Sequence, residues 1–93
     1  MGDINSLVDI FRKCYEISKN TKADCFFDYS PHVNGISISA YRRGYDNKDE
    51  GHAYITQSGE WRERASIIYN DELNTDLIIK ALDELEKEAK SNA

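Results

Sequence analysis

Residues 36–42, Ile36-Ser37-Ile38-Ser39-Ala40-Tyr41-Arg42, decide the fold of this 93-residue chain. Apolar and hydroxyl-bearing residues alternate along this stretch, which is the period-2 pattern of a strand with one buried face. The two isoleucines and Ala40 are therefore expected to face a core, whereas the serines and Tyr41 face the other side of a sheet.

A turn and a second strand precede this stretch. Ser30–Gly35 contains Pro31 and the Asn34-Gly35 pair, whose residues tolerate the backbone angles of a tight reversal. Before the turn, residues 24–29 read Asp-Cys-Phe-Phe-Asp-Tyr, and alternation places every second residue from Cys25 on one face. The sequence thus predicts an antiparallel hairpin.

Two further strands are predicted on the C-terminal side, at His52–Gln57 and Trp61–Tyr69, with a turn at Ser58-Gly59 between them. Glu63 interrupts the inward set of the last strand, so that a bulge or an edge position is expected there. The residues expected to point inward from this strand are Trp61, Ala65 and Ile67.

Amphipathic helices are predicted at both ends of the chain. The stripe of the first helix, Ile4 to Ser18, is about half of the circumference wide, and contact with both the sheet and the other helix would account for this width. Asn74 or Thr75 is expected to cap the last helix. The apolar residues of the first helix are Ile4, Leu7, Val8, Phe11, Cys14 and Tyr15, flanked by Ile10 and Ile17; those of the last are Leu77, Ile78, Ala81, Leu82, Leu85 and Ala89.

The element order predicts one α+β domain over residues 1–93, α-β-β-β-β-α, in which an antiparallel meander of three or four strands carries both helices on one face. Gly44–Gly51 is expected to be a polar surface loop. Cys14 and Cys25 are too few for a disulfide framework and are expected to be reduced core thiols.

Composition favours a cytoplasmic protein without a membrane span or a secretory signal. The net charge is −5, and it comes largely from residues 70–93, which carry seven acids and three bases. Residues 1–22 carry three acids and four bases. No motif for phosphate binding, metal binding or nucleophilic catalysis is found, so we expect a non-enzymatic protein with no cofactor and no metal.

The side of the sheet away from the helices is one candidate binding surface. The predicted registers place on it Tyr41, Arg43, Tyr54, Arg62 and Arg64. Tyrosine and arginine are favoured at protein interfaces, and the same residues can stack bases and neutralise the backbone of a single-stranded nucleic acid. Cross-strand packing on a solvated face accounts for them equally well.

Two segments, Ile4–Phe11 and Phe26–Asn34, resemble small acidic proteins of bacterial phages and prophages. Some proteins of that kind, including certain anti-CRISPR inhibitors, occupy the basic nucleic-acid channel of a host enzyme. The resemblance therefore implies a basic protein partner for the acidic last helix, although Lys80 and Lys87 interrupt its charge. The candidate acidic surface consists of Asp76, Asp83, Glu84 and Glu88.

These patterns together predict a protein-binding or regulatory domain, with phage origin and inhibition of a host protein implied by the resemblance. Self-association through the first helix or the open sheet face is a further expectation. The alternative is a single-strand nucleic-acid binder that uses the tyrosines and arginines of the sheet, although the net negative charge makes nucleic acid the weaker partner.

Overall fold

A computed structural model describes residues 4–42 and 52–91 of the chain. The predicted loop at Gly44–Gly51 lies outside the described residues. The α+β class and the order of helix, strands and helix are confirmed. The elements are α1 (Ile4–Asn20), β1 (Asp24–Ser30), β2 (Gly35–Tyr41), β3 (His52–Ile55), β4 (Trp61–Arg62), β5 (Ile68–Tyr69), a 3-10 turn (Asn70–Glu72) and α2 (Thr75–Ser91).

The strands form one antiparallel sheet around β2, in the order β1-β2-β3-β4. One edge of β2 pairs along its full length with β1. The other edge is shared, because β3 pairs with residues 39–41 and β5 pairs with Gly35 and Ile36. The stretch that the sequence marks as decisive is therefore the central strand.

The β1–β2 hairpin follows the predicted turn. Asn34 takes a left-handed conformation with φ of 50°, which asparagine tolerates better than most residues. Its carbonyl accepts a hydrogen bond from the Asn70 N–H at 2.8 Å, which ties the turn to the segment after β5. At Gly35 a Cβ atom would lie 2.7 Å from Ile67 Cγ2, so glycine allows this close approach.

The prediction of one strand over Trp61–Tyr69 is wrong. The chain leaves the sheet after Arg62, and five residues pass before β5 begins. Ala65 is exposed and Ile67 is 47% exposed, whereas Ile68 is fully buried. Uninterrupted alternation from Trp61 would have turned the Glu63 carboxylate toward the core, and burial of an unpaired charge is unfavourable. Because the strand is broken, the inward-facing residue of β5 is Ile68 and not Ile67.

Both helices pack on the same face of the sheet, as predicted. Ile36, Ile38 and Ala40 of β2 are at most 3% exposed and point into one core with residues of α1 and α2. Helix α2 begins as expected, because the Asn74 side chain accepts a hydrogen bond from the Leu77 N–H at 3.2 Å. The core residues contributed by the helices are Ile10, Cys14, Ile17, Ile78, Ala81, Leu82, Leu85 and Ala89.

A salt-bridge cluster joins the two helices at the margin of the core. The Lys13 ammonium lies 2.6 Å from Asp83 and 2.8 Å from Glu86. Burial lowers the pKa of Lys13, but hydrogen bonds and attraction from the two carboxylates outweigh it, so its pKa is raised above 10.5. The pair of acids thereby holds α1 and α2 side by side.

Cys14 and Cys25 are free, buried thiols, as expected. The side-chain hydrogen bond that the Cys14 thiol donates to Cys25, together with burial, raises the pKa of Cys14, which keeps this thiol protonated and poorly nucleophilic. Next to them, Ser18 Oγ accepts a hydrogen bond from the Cys25 N–H at 2.9 Å and lies 3.0 Å from the Cys14 carbonyl. Hydrogen bonds between the Ser18 side chain and backbone groups thus hold α1 against β1, together with apolar contacts.

The predicted apolar stripe of α1 is wrong in one respect. Its buried residues are Ile10, Cys14 and Ile17, so the flank of the predicted stripe is the core face. Most of the residues that the stripe placed at its centre are exposed, and contact with the sheet and α2 does not bury them. These exposed residues are Ile4, Val8, Phe11 and Tyr15.

Candidate protein-binding surface

Helix α1 carries a second apolar stripe on its solvent side, which we call the outer seam: Ile4, Val8, Phe11 and Tyr15. Their exposures are 70%, 41%, 52% and 55%, respectively. Scattered single apolar residues are normal on a protein surface, but four on one stripe form a patch. The outer seam is therefore the feature of this surface that requires an explanation.

The outer seam has the spacing of a helix–helix contact. Its residues are separated by four, three and four positions, which is the alternation of the a and d sites in a two-helix seam. At 3.6 residues per turn the four side chains fall within about 60° of one another. The stripe of Ile10, Cys14 and Ile17 lies roughly 120° away around the same helix. Leu7, which packs against the core, lies between the two stripes. Helix α1 therefore has one wide apolar face, of which one side is buried in the core and the other side is exposed.

Contacts with β1 hold the middle of the outer seam in place. The Phe11 and Phe27 rings meet edge to face with 5.8 Å between their centroids, a favourable aromatic geometry. On the same strand, Tyr29 is 51% exposed and extends the apolar surface beyond the helix. At the other end, the Lys19 ammonium lies 5.7 Å from the centre of the Tyr15 ring.

The charges beside the outer seam are balanced. Asp9 and Arg12 form an exposed pair at 3.6 Å, and Glu16 and Lys19 are also exposed on α1. Arg12 and Lys19 lie next to the seam, and Asp9 and Glu16 lie further around the same exposed side of α1. This side of the helix therefore balances two bases against two acids in a protein of net charge −5. This part of the surface does not repel either an acidic or a basic partner strongly.

Aromatic rings cover the open face of the sheet, the side away from the helices. Tyr41 stacks on His52 with 4.1 Å between centroids and an interplanar angle of 2°. Phe26 meets Tyr41 edge to face, and Tyr54 is tilted against His52 at 4.9 Å. The rings thus pack on each other, which is cross-strand packing across three strands.

The arginines predicted for the open face are only partly brought together. Arg62 lies opposite Tyr54 in the register, and its guanidinium is 2.9 Å from Glu60. Arg64 belongs to the segment between β4 and β5 and is not on a strand, so its predicted strand position is wrong. Arg43 lies outside the described residues.

The acidic surface predicted on α2 is divided by salt bridges. Asp83 is bound to Lys13, and Glu88 lies 3.9 Å from Arg42. Asp76 and Glu84 are exposed, and so are Lys80 and Lys87 on the same helix. Acids and bases therefore alternate along α2 instead of forming a dense anionic face.

An open, polar depression of about 380 Å³ lies at the start of α2 and is lined by residues 71–76. Asp71, Glu72 and Asp76 are its charged residues. Within residues 4–42 and 52–91, no three histidine, cysteine or acidic side chains are placed to hold one metal ion together. We therefore assign no ligand to this depression.

None of the family models, curated proteins or solved structures compared with the chain matches it. Neither of the described helices has the length and apolar run needed to traverse a bilayer. The candidate function is therefore argued from the geometry of the chain itself.

The sequence predicted self-association through the first helix, but it did not separate the four residues of the outer seam from those that pack in the core. The apolar stripe of α1 was wider than a single packed face requires, and that excess width was the signal of the outer seam. Hydrophobic spacing alone does not reveal which of two adjacent stripes meets the core, since both have helical periodicity.

Proposed function

We propose that this protein is a protein-binding domain that recognises an amphipathic helix through the outer seam. The exposure of Ile4, Val8, Phe11 and Tyr15 on one stripe of α1 carries the proposal. An apolar stripe of a/d spacing binds best to another helix with the same spacing, because side chains of each helix fill the gaps of the other.

A helix fits this flank of the molecule better than an added strand does. β1 is an edge strand among the described residues, but Ser18 already occupies the outward N–H of Cys25. Asp28 is exposed on the same strand, and charged residues on an edge discourage strand addition. The helical stripe, by contrast, has no such obstruction.

Binding, in place of catalysis, is the activity that this surface supports. Aromatic and aliphatic anchors that lose water on contact supply most of the affinity of protein interfaces. The resemblance to small phage proteins fits a regulatory role of this kind, exerted on a host protein.

The test compares two glutamate substitutions of similarly exposed apolar residues, Val8→Glu in the outer seam and Leu77→Glu in α2, whose side chains are 41% and 40% exposed. Tagged wild-type protein and both variants are used in pull-downs from bacterial lysate and in sedimentation at several concentrations. Any specific association is expected to be lost with Val8→Glu and retained with Leu77→Glu. If every association survives Val8→Glu, the proposal is wrong.

A second candidate function is single-stranded nucleic-acid binding by the open face, favoured by the row of four aromatic rings. It has less support, because the rings stack on each other and Arg62 is paired with Glu60. Titration with labelled single-stranded DNA and RNA at low and high salt tests it. Real backbone contacts must weaken with salt, and absence of binding at low salt excludes this function.

A further inference from the structure

We infer that the helix bound by the outer seam is α1 of a second copy of the same chain, in an antiparallel homodimer. The inference rests on the proposed function and names its partner. The outer seam is itself an amphipathic stripe of the required spacing, so each copy supplies what the other lacks. A two-fold axis between the helices makes one surface patch sufficient for both sides of the contact.

The antiparallel orientation follows from the sizes of the side chains. When two copies of α1 run in opposite directions about a point between Val8 and Phe11, each valine faces a phenylalanine and each isoleucine at position 4 faces a tyrosine at position 15. Small residues then oppose large ones along the seam, which fills space evenly. In a parallel pair, the two Phe11 rings and the two Tyr15 rings would oppose each other. Antiparallel helices also bring opposite ends of the two helix dipoles together.

Electrostatics favour this surface for self-association. A protein of net charge −5 repels its own copies, mainly through the acids of residues 70–93. The exposed side of α1 that carries the outer seam balances two acids, Asp9 and Glu16, against two bases, Arg12 and Lys19. Contact through α1 therefore joins the copies on a side where acids and bases are balanced, away from residues 70–93, which carry most of the net negative charge.

The area is adequate for a modest dimer. Burial of the four seam side chains removes on the order of 400 Å² per copy from water, about half of the ~800 Å² per partner of a standard interface. Arg12 and Lys19 lie next to the seam on α1 and supply further contact area. We therefore expect a concentration-dependent dimer with a dissociation constant on the order of micromolar.

Sedimentation velocity of the full chain, from about 5 to 500 µM around the expected micromolar constant, tests the dimer. Wild-type protein and Leu77→Glu are expected to shift from monomer to dimer over this range. Val8→Glu is expected to stay monomeric, with at least a tenfold higher dissociation constant. Ile4→Glu, at a site that is 70% exposed, repeats the test at a position where folding is not at risk. Far-UV circular dichroism verifies that each variant is folded.

Cross-linking tests the orientation. In the antiparallel dimer, Ile4→Cys and Tyr15→Cys chains mixed with oxidised glutathione form a mixed disulfide dimer, because positions 4 and 15 face each other. Neither variant alone cross-links, since two position-4 cysteines are about 16 Å apart along the helix axis. If each variant cross-links with itself and no mixed disulfide dimer forms when the two are combined, the antiparallel arrangement is wrong.

The outcomes separate the two proposals. A wild-type chain that is monomeric at every concentration overturns the homodimer. If such a monomer binds a helical partner and Val8→Glu abolishes that binding, the proposed function stands with a different partner. A dimer that both seam variants leave intact overturns the inference, and the lysate comparison then decides the proposed function separately.

Discussion

The two helices of this protein have the same length but bury their apolar residues differently. Helix α2 buries five residues on one stripe, and Leu77, at 40%, is its one exposed large apolar side chain. Helix α1 buries three residues and exposes four. The core therefore uses a single stripe from each helix, and the four additional apolar residues of α1 remain at least 41% exposed.

The largest change in the free energy of unfolding is expected for the core stripe of α1, in contrast to the outer seam of the same helix. Ile10→Ala should lower the free energy of unfolding by about 2–4 kcal/mol, because a fully buried isoleucine leaves a cavity. Ile4→Ala removes the same atoms from the outer seam, where the side chain is 70% exposed, and should cost less than about 0.5 kcal/mol in dilute protein. Urea unfolding at a concentration below that of dimer formation measures both. Equal losses would mean that the outer seam belongs to the core.

A smaller effect is expected where α1 meets α2. Lys13→Ala should cost about 1–3 kcal/mol, because it leaves Asp83 and the mostly buried Glu86 without their common cation. Lys87→Ala, on the exposed side of α2, is the matched control and should change stability by less than about 0.5 kcal/mol. Urea unfolding of both variants checks this. Similar values for the two lysines would show that the cluster does not hold the helices together.

The smallest expected effect is the alkaline pH dependence of the same contact. The pKa of Lys13 is higher in the folded protein than its ordinary value of 10.5. Its contribution to stability is therefore complete below pH 10.5 and is lost as the pH rises through the folded-state pKa. The loss should be smaller than that caused by Lys13→Ala, since the deprotonated side chain keeps its packed methylene groups.

The measurement is the difference in unfolding free energy between wild type and Lys13→Met at pH 8, 10 and 11, chosen to bracket the ordinary lysine pKa. That difference should narrow above pH 10.5. Other groups that titrate in alkali affect both proteins and cancel in the comparison. A difference that stays constant over this range would show that Lys13 and its two acids are not coupled in the folded state.

Most of the backbone architecture could be predicted, since it depends on local patterns. Alternation fixed the faces of β2, and Asn74 marked the start of α2. The break between β4 and β5 was indicated only as a disturbance at Glu63. The length of this break depends on where Ile68 pairs with Ile36 of β2. That pairing is a long-range contact, which the periodicity of a local stretch does not predict.

The candidate surfaces were less predictable, because they depend on which side chains find partners. Tyr41 and Tyr54 lie near each other, as their predicted registers implied. The stacking of His52 on Tyr41 and its contact with Tyr54 were not predicted. Asp83 and Glu88 were expected on an open acidic surface, and each instead has a cation beside it. Contacts of this kind join residues far apart in sequence, so spacing alone does not contain them.

The sequence by itself determined the number and type of the main elements, the inward face of β2 and an excess of apolar residues on α1. Only the tertiary structure decided which stripe of α1 meets the core and which remains in water. The physical reason is that helical periodicity defines apolar directions around an axis, whereas the rotation of the helix about that axis is set by its neighbours. Here Cys25, Phe27 and α2 set that rotation, and they leave the outer seam exposed.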